Sequence, residues 1–331
     1  MNLLILSNNP SRASFRQRIG VYLDTLRSNG INPEVAKLPA GSLARRKLFR
    51  RAAECDGVFL HKKGLNLFDA TWLARYSKKL IYDFDDAIMY SPKAPDRNSL
   101  SRFRPFRRSV KIADMVIAGN SYLAEHARRF NPNVEVLPTG LDTNAYRVKD
   151  NLKKDGKIRL VWIGSHSTLR YLAEIKPALE EIGSRFDSVV LRIICDDSID
   201  LRNMPVEKRL WSEEAQAIDL ATCDIGLAPL PDNRFTRGKC GFKVLQYAAA
   251  ALPAVASPVG VNAEYVSDRV TGFHATNIVQ WVDGVGKLVT DQSLRKRMGE
   301  AAKANVHKFD LAVIARRLVN LVKESLGKSG A

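Results

Sequence analysis

Short apolar runs alternate with amphipathic stretches along almost the whole chain, and that alternation admits few folds other than parallel sheets covered by helices. Candidate strands in the first half are Leu3 to Leu6, Glu34 to Lys37, Val58 to His61, Leu80 to Phe84, Met115 to Ala118 and Val134 to Leu137. A second series follows at Ile158 to Ile163, Val189 to Cys195, Asp224 to Ala228 and Ala254 to Ala256. Between strands, apolar residues return at helical spacing. Phe15, Ile19, Tyr22, Leu23 and Leu26 predict one helix that Gly30 stops, and Tyr171, Leu172, Ile175, Leu179 and Ile182 predict another. Asp310 is a suitable N-cap for a last helix carrying Leu311, Ile314, Leu318 and Leu321 on one face. Arg147 to Lys157 carries charge but no apolar pattern, so it reads as a linker.

The two series predict an α/β protein made of two Rossmann-like doubly wound domains facing a central cleft, because such sheets bind ligands at the carboxyl ends of their strands. The expected boundaries are residues 1–147 for the first domain, 148–309 for the second, and 310–331 for a C-terminal helix packing back toward the first. A length of 331 residues suffices for two such compact domains.

Composition narrows the partners. No run of eighteen apolar residues occurs, and the start, MNLLILSNNPSR, turns polar too soon for an export signal, so a cytoplasmic protein is expected. The four cysteines, Cys55, Cys195, Cys223 and Cys240, have no paired spacing and suit reduced thiols. A net charge of +17 implies attraction to something anionic: phosphate-bearing substrates, a membrane surface or nucleic acid. Cations concentrate in ARRKLFRR (Ala44 to Arg51) and RFRPFRRSVK (Arg102 to Lys111), interleaved with Leu48, Phe49, Phe103 and Phe106. That mixture suits peripheral contact with an anionic membrane surface, and a solvated basic face explains it equally well. Nucleic acid is not expected as a partner, since the chain lacks a recognition helix, zinc spacing or an aromatic RNA-binding pattern.

The segment from Cys223 to Glu264 carries the most chemistry: CDIGLAPLPDNRFTRGKCGFKVLQYAAAALPAVASPVGVNAE. It reads as a buried strand, a loop holding Arg234, Arg237, Gly238, Lys239, Cys240 and Gly241, a helix from about Phe242 to Ala251 that includes Lys243, and a second buried strand. Glycines let the backbone approach a ligand, a helix start offers unpaired NH groups at a positive dipole end, and lysines supply charge. Those are the parts a diphosphate needs.

The stretch GKCGFKVLQYAAAALPAVASPVGVN resembles the donor-binding segment of glycosyltransferase family 4, whose enzymes have the GT-B fold. Three further stretches resemble the same family in the same order: PTGLDTNAY (Pro138 to Tyr146), LVWIGSHSTLRYL (Leu160 to Leu172) and KRLWSEEAQAI with Trp211, Glu213 and Glu214. The resemblance implies a retaining glycosyltransferase, and since Lys239, Lys243 and a helix start already supply charge for a diphosphate, no metal or other cofactor is expected. Such an enzyme would move a sugar from a nucleotide-diphosphate sugar to a glycan or lipid-linked acceptor in surface polysaccharide or lipopolysaccharide synthesis. The implied donor-binding residues are Gly164, Ser165, His166, Ser167, Arg237, Gly241, Phe242 and Gln246, with Lys239 and Lys243 stabilising the leaving diphosphate. Many relatives carry a pair of glutamates in this segment. Here their places fall on Gly238 and Gln246, and Gln246 can still hydrogen-bond ribose hydroxyls. The missing glutamates leave open a catalytically inactive, nucleotide-sugar-binding accessory subunit, and a strand-loop-helix with Gln246 facing water is the plainer alternative.

In the first half, SNNPSRASFRQRIG (Ser7 to Gly20) follows the first strand; Arg16 and Arg18 are candidates to meet a phosphate or an acidic acceptor, Arg16 being placed on the acceptor side, while a solvated helix face is the slightly preferred alternative for Arg18. YDFDDAI (Tyr82 to Ile88) places Asp83, Asp85 and Asp86 at the end of a buried strand, where carboxylates suit function better than structure. Asp85 falls about where relatives carry a histidine at the reacting centre, so it is expected to be catalytic; Asp83, Asp86 and His61 are expected on the acceptor side, with helix capping the alternative for Asp86. His126 and His307 read as surface residues, and no histidine has metal-ligand spacing with another.

Overall fold

In the computed structural model, residues 1–146 and 155–327 are described, so most of the expected linker, Arg147 to Lys157, and the tail beyond Gly327 lie outside them. The chain divides into two compact units. One comprises Met1–Gly140, Asn233–Cys240 and Leu311–Ala331, and the other Leu141–Asp232 and Gly241–Asp310.

The first unit runs β1 (Asn2–Ser7), α1 (Ala13–Arg18), α2 (Leu23–Ser28), β2 (Asn32–Lys37), α3 (Ser42–Arg50), β3 (Gly57–His61), α4 (Leu67–Tyr76), β4 (Leu80–Phe84), α5 (Leu100–Ile112), β5 (Met115–Ala118), α6 (Ser121–Arg128) and β6 (Val134–Val136). Its six strands are parallel in the order β2-β1-β3-β4-β5-β6. Residues along a strand point alternately to two faces, and each face has its own core. Leu4, Leu6, Val58 and Leu60 enter one core, while Leu3, Ile5 and Phe59 enter the other. Covering both faces is why these strands read as continuous apolar runs.

The second unit runs β7 (Ile158–Ile163), α7 (His166–Ala173), α8 (Lys176–Arg185), β8 (Val189–Ile194), β9 (Val206–Arg209), α9 (Gln216–Ala221), β10 (Ile225–Ala228), α10 (Phe242–Ala249), β11 (Ala254–Ala256), α11 (Asn262–Tyr265), β12 (Gly272–His274), α12 (Ile278–Thr290) and α13 (Gln292–Val306). Its sheet is also parallel, ordered β12-β11-β10-β7-β8-β9. Leu160 and Trp162 face one core of this unit, Val161 and Ile163 the other. The last helix, α14 (Leu311–Gly327), buries Ile314, Ala315, Leu318, Val319 and Val322 in the first unit.

Several elements differ from expectation. The helix expected across Phe15 to Leu26 is broken: after α1 the backbone at Ile19 leaves helical geometry and a 3-10 turn, Gly20–Tyr22, precedes α2. The helix expected across Tyr171 to Ile182 is likewise two, with Pro177 in the first turn of α8, a position where proline's missing NH costs nothing. Strands β9 and β12 were not foreseen. The first, VEKR, is a polar edge strand, and the second, GFH, is too short to show a pattern.

Candidate functional site

In open α/β sheets, ligands bind beyond the carboxyl ends of the strands where the strand order reverses. The second unit reverses between β7 and β10, so the segments after these strands are the place to look. Beyond β7, a Cβ on Gly164 would lie 2.6 Å from the Trp162 ring, which leaves only glycine to fit there. Ser165 then caps α7, its own amide donating to Thr168 Oγ1 at 3.2 Å. Ser165, His166 and Ser167 are all exposed, and His166 Nδ1 lies 2.9 Å from Asp197 Oδ2.

After β10 the chain reaches Gly241, the N-cap of α10, at a φ of +62°, a conformation glycine adopts without strain. Val244 N makes the first intrahelical bond, to Gly241 O at 2.9 Å, so the amides of Phe242 and Lys243 precede the helical ladder. Lys243 Nζ sits 4.2 Å from the centroid of the Trp162 ring. The indole thereby joins Gly164 and Lys243. Trp162 is fully buried, and its Nε1 has no hydrogen-bond partner. In the sequence Trp162 carries only the signal of a strand residue.

Gln246 departs from expectation, whether as a ribose contact or as a residue facing water. It is 3% exposed, and its Nε2 donates to Tyr146 Oη at 2.9 Å and to Gln216 Oε1 at 2.8 Å. Trp211 Nε1 donates to the same Gln216 oxygen at 3.2 Å. Burial pushes the Tyr146 hydroxyl up to about 12, against the opposing bond from Gln246. Three of the stretches quoted for the family resemblance therefore meet in one hydrogen-bonded chain that runs from buried Gln246 to exposed Trp211. A separate pocket of 310 Å³ opens beyond β10, β11 and β12 and includes Glu174, Asp232, Ser257 and Trp281; its two carboxylates do not suit phosphate.

The acidic cluster lies in the first unit, which reverses between β1 and β3. Arg18, expected to be solvated, is 3% exposed; its Nη2 donates to Asp83 Oδ1 at 2.7 Å and its Nη1 to Leu137 O at 2.6 Å. His61 Nδ1 is 3.0 Å from Asp83 Oδ2. Burial alone would raise the Asp83 pKa, but Arg18 and His61 hold it below the ordinary range. Asp83 and His61 are thus buried partners of each other, at 1% and 3% exposure, and neither presents a surface to an acceptor.

Asp85 and Asp86 are organised by a residue not singled out in the sequence. Lys62, just past β3, has a φ of +50°, unusual for a side chain with a Cβ, and its Nζ lies 2.8 Å from Asp85 Oδ1 and bonds Asp86 as well. Burial acts against both charges, yet the pairing raises the Lys62 pKa and lowers that of Asp85. No helix starts near Asp86, which excludes its capping role; the next, α5, begins at Leu100. Lys239, expected to be a phosphate-facing cation, instead places Nζ 3.0 Å from Asp86 Oδ1 and 4.8 Å from the Phe235 ring centroid. The loop is pinned on either side: Asn120 Nδ2 donates to Lys239 O at 3.1 Å, and Cys240 Sγ to Asp85 O at 3.0 Å. Burial, with the Asp85 charge, pushes the Cys240 thiol up to about 12. Arg237 is exposed, as is Arg16, whose Nη1 donates to Ser11 O at 2.6 Å. His126 is half-buried, not a surface residue: its Nε2 is 3.0 Å from Tyr90 Oη, and burial depresses its pKa.

Residues 224–305 match the family model described as glycosyl transferases group 1. No curated protein matches the chain. Among solved structures, HepE from Anabaena, crystallised with UDP and glucose, is 16% identical at a TM-score of 0.72, covering 98% of this chain and 100% of its own. A glycosyltransferase from Rickettsia africae ESF-5 is 14% identical at a TM-score of 0.76, over 99% of both chains. WaaG, a glycosyltransferase involved in lipopolysaccharide biosynthesis, is 14% identical at 0.71, over 97% of this chain and 99% of its own. The fold is GT-B. Of the four stretches that resemble family 4, the one holding Gly241, Lys243 and Gln246 lies within the group 1 match, and the other three precede it.

Proposed function

We propose that this GT-B protein is a retaining glycosyltransferase acting on a nucleotide-diphosphate sugar. The observation that carries the reading is the convergence of Gly164, at the start of α7, and Lys243, on the first turn of α10, at the buried Trp162 ring, inside a sheet whose α10 segment matches the group 1 model. Two helix starts and a fixed cation are the equipment for a diphosphate. HepE is a structural neighbour crystallised with UDP and glucose, which supports a nucleotide-sugar donor. WaaG, involved in lipopolysaccharide biosynthesis, supports a surface-glycan or lipid-linked acceptor.

In this reading Lys243 and the amides that open α10 stabilise the negative charge that develops as the bond between the anomeric carbon and the diphosphate oxygen breaks. The acceptor hydroxyl oxygen bonds the anomeric carbon on the same face, and its proton passes to the departing phosphate. Ser165, His166 and Ser167 hydrogen-bond the donor, and Asp85, set by Lys62, acts on the acceptor. Lys239 serves by holding Asp86.

A thermal-shift screen of UDP, GDP, ADP and CMP should give one nucleoside diphosphate that raises the melting midpoint, since a ligand binding only the folded state stabilises it by mass action. Lys243→Ala should remove that shift and lower turnover of the matching sugar nucleotide by about tenfold to a thousandfold, the range for losing one transition-state donor. A nucleotide shift without any turnover would favour the accessory-subunit reading, which the absence of both glutamates keeps in view. No shift with any nucleotide would overturn both.

A further inference from the structure

The two basic stretches combine cations with large apolar residues, but the fold uses most of those apolar residues internally. Leu48, Phe49 and Phe106 are core, so they cannot meet a membrane. Other residues take their place on the surface. On α4, Phe68, Trp72 and Tyr76 recur at i, i+4 and i+8, one stripe of the helix. Phe68 is 68% exposed, its ring centroid lies 6.2 Å from that of Trp72, and the preceding Leu67 is also exposed. Helix α3 packs beside α4, and on it Leu43, Arg46, Lys47 and Arg50 share a face by the same spacing. The Arg46 guanidinium stands 5.3 Å over the Trp72 ring, and bonds from Arg50 and Arg46 hold the Tyr76 hydroxyl below its ordinary pKa. Leu43, at the outer end of this face, is 79% exposed.

Among the described residues no carboxylate forms an ion pair with Arg46, Lys47 or Arg50. Helix α3 contains no acidic residue, and the one on α4, Asp69, is buried and paired with Arg45 at 2.9 Å. The surface therefore joins exposed aliphatic and aromatic groups to unopposed cations. We propose that the α3/α4 face docks this protein onto an anionic lipid bilayer, with Leu43, Leu67 and Phe68 entering the headgroup boundary and Arg46, Lys47 and Arg50 meeting lipid phosphates. Aliphatic Leu43 and Leu67 have nothing to stack on in a nucleic acid, whereas acyl chains accept them. No described helix is long and apolar enough to cross a membrane. The inference does not rest on the transferase reading, and vesicle binding and donor turnover can fail separately.

The test is co-sedimentation of the whole chain with vesicles of phosphatidylcholine alone and of phosphatidylcholine mixed with phosphatidylglycerol. Binding should be confined to the anionic vesicles and weaken with salt. The double variant Leu67→Ser with Phe68→Ser, which leaves net charge unchanged, should lower the partition coefficient by about tenfold or more. Replacing Lys47 and Arg50 by Ser should lower it about fivefold per cation. The pair Lys296→Ser and Arg297→Ser, exposed on α13 in the other unit, removes the same charge elsewhere and should leave partitioning essentially unchanged. These are surface positions, and circular dichroism will confirm that the variants fold. Equal binding to neutral vesicles, or full binding by the Leu67/Phe68 variant, overturns the proposal. So does a face that ignores vesicles but mediates self-association or RNA binding lost in the same variants.

Discussion

Gly238 stands where many family 4 enzymes carry the first of two glutamates, and its surroundings leave no room for one. A Cβ there would come within 2.7 Å of Ala87 Cβ and 2.9 Å of the Ala87 backbone nitrogen, contacts closer than side chains tolerate. Restoring the glutamate by Gly238→Glu should therefore destabilise the protein by roughly 1–3 kcal/mol, the range for overpacking, and should not increase turnover. Urea denaturation gives the first quantity and a donor assay the second; a variant that is both stable and faster would show that the loop has been misread. Other residue roles were hidden from the sequence for a similar reason. Arg18 looked solvated because the carboxylate that buries it, Asp83, is 65 positions away. Gln246 looked ligand-facing because Tyr146, its partner, lies 100 positions earlier. Lys62 carries no local signal, because its unusual φ and its proximity to Asp85 and Asp86 arise only once β3 and β4 pair.

Elements were more legible than residues, since apolar runs and helical spacing are local. The strands of the first sheet and β7, β8, β10 and β11 fall where those signals put them, whereas β9 and β12 have almost no apolar content to read. Helix α10 illustrates both sides. Its start was marked by Gly241, but its end comes at Ala249, and Ala251 adopts a φ of +56° that no local pattern announces. Gly241 is needed twice over: its φ is +62°, and a Cβ would meet Val261 Cγ2 at 2.8 Å and Tyr265 Cδ2 at 3.0 Å. Gly241→Ala should cost about 1–3 kcal/mol from backbone strain alone, with more from the contact. Because the same change shifts the Phe242 and Lys243 amides, it should also weaken nucleotide binding at temperatures where the variant remains folded. Wild-type nucleotide affinity in a folded Gly241→Ala protein would remove the α10 start from the donor site.

At the scale of the whole molecule, the presence of two doubly wound sheets is legible in the sequence, but the path of the chain through them is not. Asn233–Cys240 sits in the middle of the second series, yet packs with the first unit, since Gly238 meets Ala87 and Lys239 meets Asp86. That arrangement bears on metal use. Asp83-Phe84-Asp85 spells the Asp-x-Asp motif with which the other large glycosyltransferase fold holds a divalent cation on its donor. Hard oxygen ligands suit magnesium or manganese, so the motif alone would argue for one. Here every carboxylate of the cluster already faces a fixed cation: Asp83 faces Arg18, Asp85 faces Lys62, and Asp86 faces both Lys62 and Lys239. A divalent ion would have to displace those contacts, and breaking a buried pair such as Arg18 with Asp83 costs about 3–5 kcal/mol when one charge is left alone. The diphosphate groups proposed in the second unit bring Lys243 and a helix start of their own. Transfer should therefore proceed without a divalent metal. Treating the enzyme with EDTA, then titrating manganese back in the presence of the identified donor, should leave turnover unchanged throughout. Turnover abolished by the chelator and restored by manganese would mean that the cations around Asp83, Asp85 and Asp86 give way to a metal during the reaction, and the acidic cluster would have to be reassigned to the donor.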